Sequence, residues 1–298
     1  MSLFLLGVAF VLVQSNALAG VITDSTGQFS VGIGPNGELY DYDSYIGFLR
    51  IAGGLDPRAP GNPRDTWGVS ANDLSAWADQ AYWGGSGVFS TSSFGSNTAS
   101  FDTTTYSGLD LEVMQTYAFA TPNILRISTT VKNVGSSTAS SVLFQRDVDW
   151  DFPPYSDTSF GPPIFGNVVD SSYNGFELPD PMVPFLCSCA GGCSETGDWG
   201  GGIKLGLGDL APGESTSFAY LYGVNYIGQT PAGLISEAQA LGAYYYIATY
   251  SSDGDLNSAT NSALIGVAAT AIPEPGTGAI LLIGAGMIAA GFRRRRAR

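Results

Sequence analysis

The sequence predicts a mainly β protein, an antiparallel β-sandwich ectodomain with one short helix, followed by a C-terminal transmembrane helix. Three observations lead there. Short segments that alternate apolar and polar residues recur between residues 20 and 266, with Gly, Pro, Asn and Ser between them. One stretch in that span, and one only, carries convincing helix punctuation. Residues 276–292 are uncharged and run directly into four consecutive arginines.

At the N-terminus, residues 3–13 are apolar. Such a run is too short to cross about 30 Å of hydrocarbon as a helix, and it matches the apolar region of a secretory signal. Ala17-Leu18-Ala19 supplies the small-residue pattern that signal peptidase accepts, so residues 1–19 read as a signal peptide cleaved before Gly20. No Lys or Arg precedes the run, and the α-amino group alone provides positive charge.

The body, residues 20–266, reads as one extracytoplasmic domain. Strands are expected at 27–33, 39–49, 86–94, 99–106, 111–118, 203–208 and 215–225. In "ILRISTTVKNVG", Leu125, Ile127, Thr129 and Val131 share one face, and Arg126, Ser128, Thr130 and Lys132 share the other. In "SVLFQRDVDWDF", Val142, Phe144, Val148, Trp150 and Phe152 point inward, while Gln145, Asp147, Asp149 and Asp151 point outward. Arg146 interrupts the apolar face. The Gly-Ser turn between these two segments allows either a hairpin or a crossing between sheets. Pro212-Gly213 reverses an antiparallel chain. Many strands at this spacing argue for a sandwich.

Residues 153–184 hold seven prolines and read as a long irregular loop, because proline cannot donate to a ladder. The helix is "TPAGLISEAQALG": Thr230 caps it, Pro231 occupies its first turn, Leu234, Ala238 and Leu241 share a face, and Gly242 ends it. "AYYYIATY" reads as a strand. A Gly-, Ser- and Asn-rich stretch after Tyr250 leads to a linker at 267–272.

The last 26 residues begin with Pro273-Glu274-Pro275. An apolar helix over 277–292 follows, with Gly278, Gly284, Gly286 and Gly291 lowering its propensity. Seventeen uncharged residues, 276–292, reach only about 25 Å at ~1.5 Å per residue, a short anchor. Arg293, Arg294, Arg295, Arg296 and Arg298 stay on the cytoplasmic side under the positive-inside rule, which places the body outside.

The order Pro-Glu-Pro, short apolar helix, terminal Arg cluster resembles the PEP-CTERM sorting signal of bacterial exosortase substrates. The resemblance covers 273–298 and coexists with a signal peptide. It implies export, retention in the inner membrane by the tail, and processing by an exosortase that recognises Pro273, Glu274 and Pro275. The arginines would then act as a stop-transfer lock. Less specifically, "RDVDWD" followed by proline and the later "LAPGES" and "YLYG" resemble β-sandwich ectodomains found on PEP-CTERM proteins. That second resemblance implies a fold and no activity.

Composition narrows the function. The chain has 298 residues and a formal charge of −14, and between residues 20 and 272 there are 25 acidic against seven basic residues, a net of −18. Such a body is repelled by nucleic-acid phosphates, so no nucleic-acid partner is expected. Histidine is absent, which removes Ser–His and Cys–His nucleophile pairs and His-ligated zinc. No Gly-rich phosphate loop joins a strand to a helix.

Five groups remain as candidate sites. Asp147, Asp149 and Asp151 lie on one strand face ~6.6–7 Å apart and either face water or attract Ca²⁺. Asp41 and Asp43 form a lesser pair of the same type. Asp253, Asp255 and Asn257 start an EF-hand spacing that fails at Ser258 and Leu264, so a turn is the better reading. Cys187, Cys189 and Cys193 are disulfide candidates in an exported chain, with Cys187 or Cys189 joined to Cys193 and one thiol left over. Trp67, Trp77 and Trp83 could form an aromatic platform for sugars, or fill the core.

The expected function is a non-enzymatic exported surface or matrix protein with a structural or adhesive role near exopolysaccharide. Signal peptidase and an exosortase would be its processing partners, and the low charge and abundant Ser and Thr suit glycosylation. The alternatives are a carbohydrate-binding module and, further down, a glycan hydrolase built on a carboxylate pair.

Overall fold

The computed structural model describes residues 18–58, 64–79, 85–105, 108–153 and 156–269. In chain order the strands are β1 (Gly20–Thr23), β2 (Phe29–Ile33), β3 (Phe48–Arg50), β4 (Asp65–Ala71), β5 (Leu74–Ala78), β6 (Val88–Phe94), β7 (Thr98–Thr105), β8 (Leu111–Thr121) and β9 (Ile124–Asn133). They continue as β10 (Ala139–Asp149), β11 (Asp157–Gly161), β12 (Val168–Ser172), β13 (Cys193–Gly197), β14 (Gly200–Leu210) and β15 (Ser215–Val224). Helix α1 (Pro231–Ala240) precedes β16 (Ala243–Ser251) and β17 (Ser262–Ala269).

These strands form antiparallel sheets of nine, five and three strands, ordered β13-β11-β16-β17-β15-β9-β8-β7-β6, β12-β14-β10-β4-β5 and β1-β2-β3. Among the described residues, the mainly antiparallel β architecture with one helix is as expected. Strands β9 and β10 do not pair with each other; the Gly-Ser turn carries the chain from the nine-stranded to the five-stranded sheet. One contiguous apolar core joins the three sheets, with Trp67 and Phe144 from the five-stranded sheet, Tyr220 and Tyr222 from the nine-stranded sheet, and Phe29 and Phe48 from the three-stranded one. Phe48 reaches Phe119 of β8 edge-on at 6.0 Å. Gly213, at φ +80°, makes the Pro212-Gly213 reversal between β14 and β15.

Helix α1 forms as its punctuation predicts: the Thr230 hydroxyl accepts from the Gly233 N–H at 3.2 Å, and Pro231 sits at the start. Its buried Leu234, Ile235 and Ala238 pack on Leu221, Leu264 and Ala248 of the nine-stranded sheet, in a second and smaller apolar cluster.

Several local expectations are corrected. Residues 39–49 yield only β3 and an isolated bridge between Asp41 and Ile46. Asp41 accepts from the Asp43 N–H at 3.0 Å and Tyr45 adopts φ 56°, so the segment turns instead of extending. The proline-rich span holds two short strands, β11 and β12, placed between its proline clusters. Val267 and Ala268, expected in the linker, are fully buried ladder residues of β17, which sits between β15 and β16. The body therefore runs to Ala269, and the rest of the expected linker lies outside the described residues.

Residues 173–185 cover the outer face of the five-stranded sheet. A Cβ on Gly68 of β4 would stand 2.0 Å from the Pro179 carbonyl oxygen, so only glycine admits this approach. The main-chain oxygens of Leu178 and Val183 accept from Gln145 Nε2 and Lys204 Nζ, both at 2.7 Å. Among the described residues no helix is long and apolar enough to cross a membrane. The apolar helix expected at 277–292 lies outside them, as does most of the expected signal peptide.

Candidate functional site

Strand β10 carries the candidate acidic site, and its position decides what those carboxylates can do. It lies between β14 and β4, and from Phe144 onward both faces are buried. One face meets the nine-stranded sheet and the other lies under residues 173–185. Asp147, Asp149 and Asp151 are thus 0%, 3% and 9% exposed, not solvated as a two-residue alternation implies.

The three acids also have different surroundings. The Asp147 carboxylate accepts from Gln145 Nε2 at 2.6 Å and Thr66 Oγ1 at 3.4 Å. Asp149 and Asp151 instead share the field of Asp198 and Arg58. Burial pushes Asp147 and Asp149 up to about 8 and Asp151 to about 6, with neighbouring carboxyls adding to all three shifts. Among the described residues no group of three acidic or cysteine side chains is placed to hold a metal ion.

Arg146, which interrupts an apolar stripe in sequence, is buried between the sheets. Its Nη2 donates to Asp65 Oδ1 at 2.6 Å and to the Gly37 carbonyl at 3.0 Å. Asp65 also accepts from the Tyr222 hydroxyl at 2.7 Å and the Leu39 N–H at 2.9 Å. The Tyr117 hydroxyl donates to Gly37 O at 2.6 Å and contacts Gln115. Arg64 pairs with Asp79 at 3.0 Å, both buried. The network fastens residues 36–39 to both sheets. Sequence reasoning missed Asp65, since nothing local distinguishes it from a surface acid.

The remaining candidates resolve one by one. Cys189 and Cys193 form a disulfide with Cα atoms 5.2 Å apart, and Cys187 is a half-buried free thiol. Replacing Cys189 with Ser is expected to cost about 2 kcal/mol, the closure entropy of so short a loop. Urea unfolding checks this, and a reductant should destabilise the wild type by the same amount while leaving the variant unchanged.

Asp253 is occupied by Ser251 and Thr260, and Asp255 by Ser258 and the Asn257 N–H. That loop is a set of closed turns, as read. Trp67 is a core residue, stacked on Phe144 at 5.8 Å with its Nε1 donating to Asn36 O, so it belongs to no surface platform. Trp77 is half-buried. Trp83 lies outside the described residues.

The sorting residues Pro273, Glu274 and Pro275 and the terminal arginines also lie outside them. So does Ala17, whereas Ala19 precedes β1 and Gly20 is its first paired residue, opposite Ile33. A comparison with curated proteins gives no match. A family model described as the PEP-CTERM protein-sorting motif matches residues 271–296. That match contains Pro273-Glu274-Pro275, the apolar run and the first four arginines. It implies export, a membrane-held C-terminal signal and an exosortase as the processing enzyme. The chain thus carries at its C-terminus a PEP-CTERM protein-sorting motif, appended to an antiparallel β-sheet body.

Proposed function

We propose that this is a surface or extracellular-matrix protein with a structural or adhesive role, released from its inner-membrane tail by an exosortase. The observation that carries the reading is the sorting motif at 271–296 on an acidic body. The arginines after the apolar run resist translocation, so the tail holds the body outside until cleavage. A non-catalytic role is supported by the lack of histidine and by buried carboxylates engaged in structural contacts, as at Asp65 and Asp79. A chain with 13% charged residues and many Ser and Thr hydroxyls suits association with exopolysaccharide. The burial of Trp67 weakens the carbohydrate-platform alternative.

Mass spectrometry of the mature protein from its native host tests the proposal. The expected protein begins at Gly20 and ends close to Pro275. Replacing Pro273, Glu274 and Pro275 with Ala should leave Arg298 attached and the protein in the membrane fraction. An intact Arg298 on most wild-type molecules would overturn exosortase release, and sugar release from the host's own polysaccharide would overturn the non-catalytic role.

A further inference from the structure

We infer that the junction between the five-stranded and nine-stranded sheets is an acid-closed latch: Asp149, Asp151 and Asp157 hold the end of β10 against the start of β11 when protonated and loosen it when ionised. β10 ends at Asp149 in one sheet and β11 begins at Asp157 in the other, so the acids sit where the chain changes sheets. The Asp151 N–H donates to Pro57 O at 2.8 Å, the Phe152 N–H to Asp157 Oδ2 at 3.4 Å, and the Ser252 N–H to Ser156 O at 3.0 Å.

Among the described residues, two carboxylate oxygens here, Asp149 Oδ1 and Asp157 Oδ1, are buried without a hydrogen-bond partner. Buried charge in that condition is costly, whereas a protonated carboxyl removes the charge and adds a donor. Arg58 and Arg64, from the chain preceding β4, act on Asp149, and Arg58 acts on Asp151. The hydrogen bonds of the Arg58 guanidinium nevertheless go to the main-chain oxygens of Leu39, Arg64 and Asp149. From the turn between β13 and β14 comes the exposed Asp198, which repels Asp149, Asp151 and Asp157. β14 offers only Gly200 opposite Asp149, and β16 offers Ser251 opposite Asp157. Asp253, beyond Ser251, is engaged by Ser251 and Thr260.

Asp157 thus faces two acids, Asp151 and Asp198, and burial with their charge pushes it up to about 8. Among the described residues no three of these acids stand where one metal ion could be held, and a proton is the occupant this geometry fits. Linkage gives the direction. The loosened state ionises near the ordinary carboxylate range and the closed state several pH units higher, so closure is strongest in acid and weakens as pH rises towards about 8.

Amide hydrogen exchange of the full chain, in buffer with a chelator, tests the latch at pH 6, 7.5 and 9 after correction for the intrinsic rate. Protection in residues 149–152 and Asp157–Gly161 is expected to fall by about tenfold or more from pH 6 to 9 beyond any fall shared by β8, β9 and β15. Asp157→Asn should remove most of that fall. Asp198→Asn, at an exposed position that does not endanger folding, removes a charge that holds the buried acids protonated and should shrink the fall and move its midpoint to lower pH. Constant protection, an equal fall in every strand, or recovery of protection at pH 9 on adding calcium would each overturn the proposal, the last by assigning the acids to a cation.

Discussion

An Asp65→Ala variant is expected to lose about 3–5 kcal/mol of stability, the cost of removing one partner from a buried ion pair. Against a total of roughly 5–15 kcal/mol for a domain, that leaves a substantial unfolded population at 37 °C. The reason is geometric. Asp65 neutralises Arg146 at 2.6 Å while receiving the Tyr222 hydroxyl and the Leu39 N–H. Without it, the guanidinium keeps hydrogen bonds only to neutral oxygens, Gly37 O at 3.0 Å and Tyr117 at 3.4 Å, and Tyr222 loses its acceptor. Asp65→Asn retains the shape and should cost less. Replacing Asp65 and Arg146 together with Leu and Met should recover much of the loss, since an apolar pair leaves no charge uncompensated. Urea unfolding followed by tryptophan fluorescence measures all three, and a loss under about 1 kcal/mol for Asp65→Ala would refute the assignment.

The second large effect is a fall in global stability with rising pH. Burial pushes Asp147, Asp149 and Asp157 up to about 8, Glu38 to about 7 and Asp151 to about 6. Unfolded carboxyls titrate near 4, so these groups bind protons on folding. Their contribution is complete below about pH 4 and is lost as pH climbs through the folded values, levelling near pH 8 to 9. Asp24 behaves oppositely. Hydrogen bonds from Thr26, Phe29 and Gln28 outweigh its burial and hold it below the usual range, so its contribution falls away below about pH 4. The stability maximum should therefore lie near pH 4 to 5, with a melting temperature on the order of 10 °C lower at pH 9. A melting temperature that is flat or rising from pH 5 to 9 would contradict the burial of these groups.

The parts of the fold legible in the sequence are those where one neighbour shell decides. β7 alternates exposed and buried at every step, and β9 nearly so, because each has one wet face. The ends of α1 follow from Thr230, Pro231 and Gly242, whose effects act within a turn. β4 and β17 escape such reading because they are buried on both faces, and a run without alternation carries no period. β11 and β12 are hidden among prolines that flank them and leave their ladder N–H groups intact.

Two things were legible in sequence alone: the sorting motif at the C-terminal end and the choice of antiparallel β structure. Apolar length, terminal charge and residue alternation are local quantities that need no partner to be read. Tertiary structure decided the rest. It turned the outward acids of β10 into buried ones, gave Arg146 its counter-charge in Asp65, and chose Cys189 for the disulfide. The first two outcomes depend on elements supplied from far along the chain, residues 173–185 over β10 above all. The energy of a carboxylate or a guanidinium is set by whether those elements leave it water, a partner or neither.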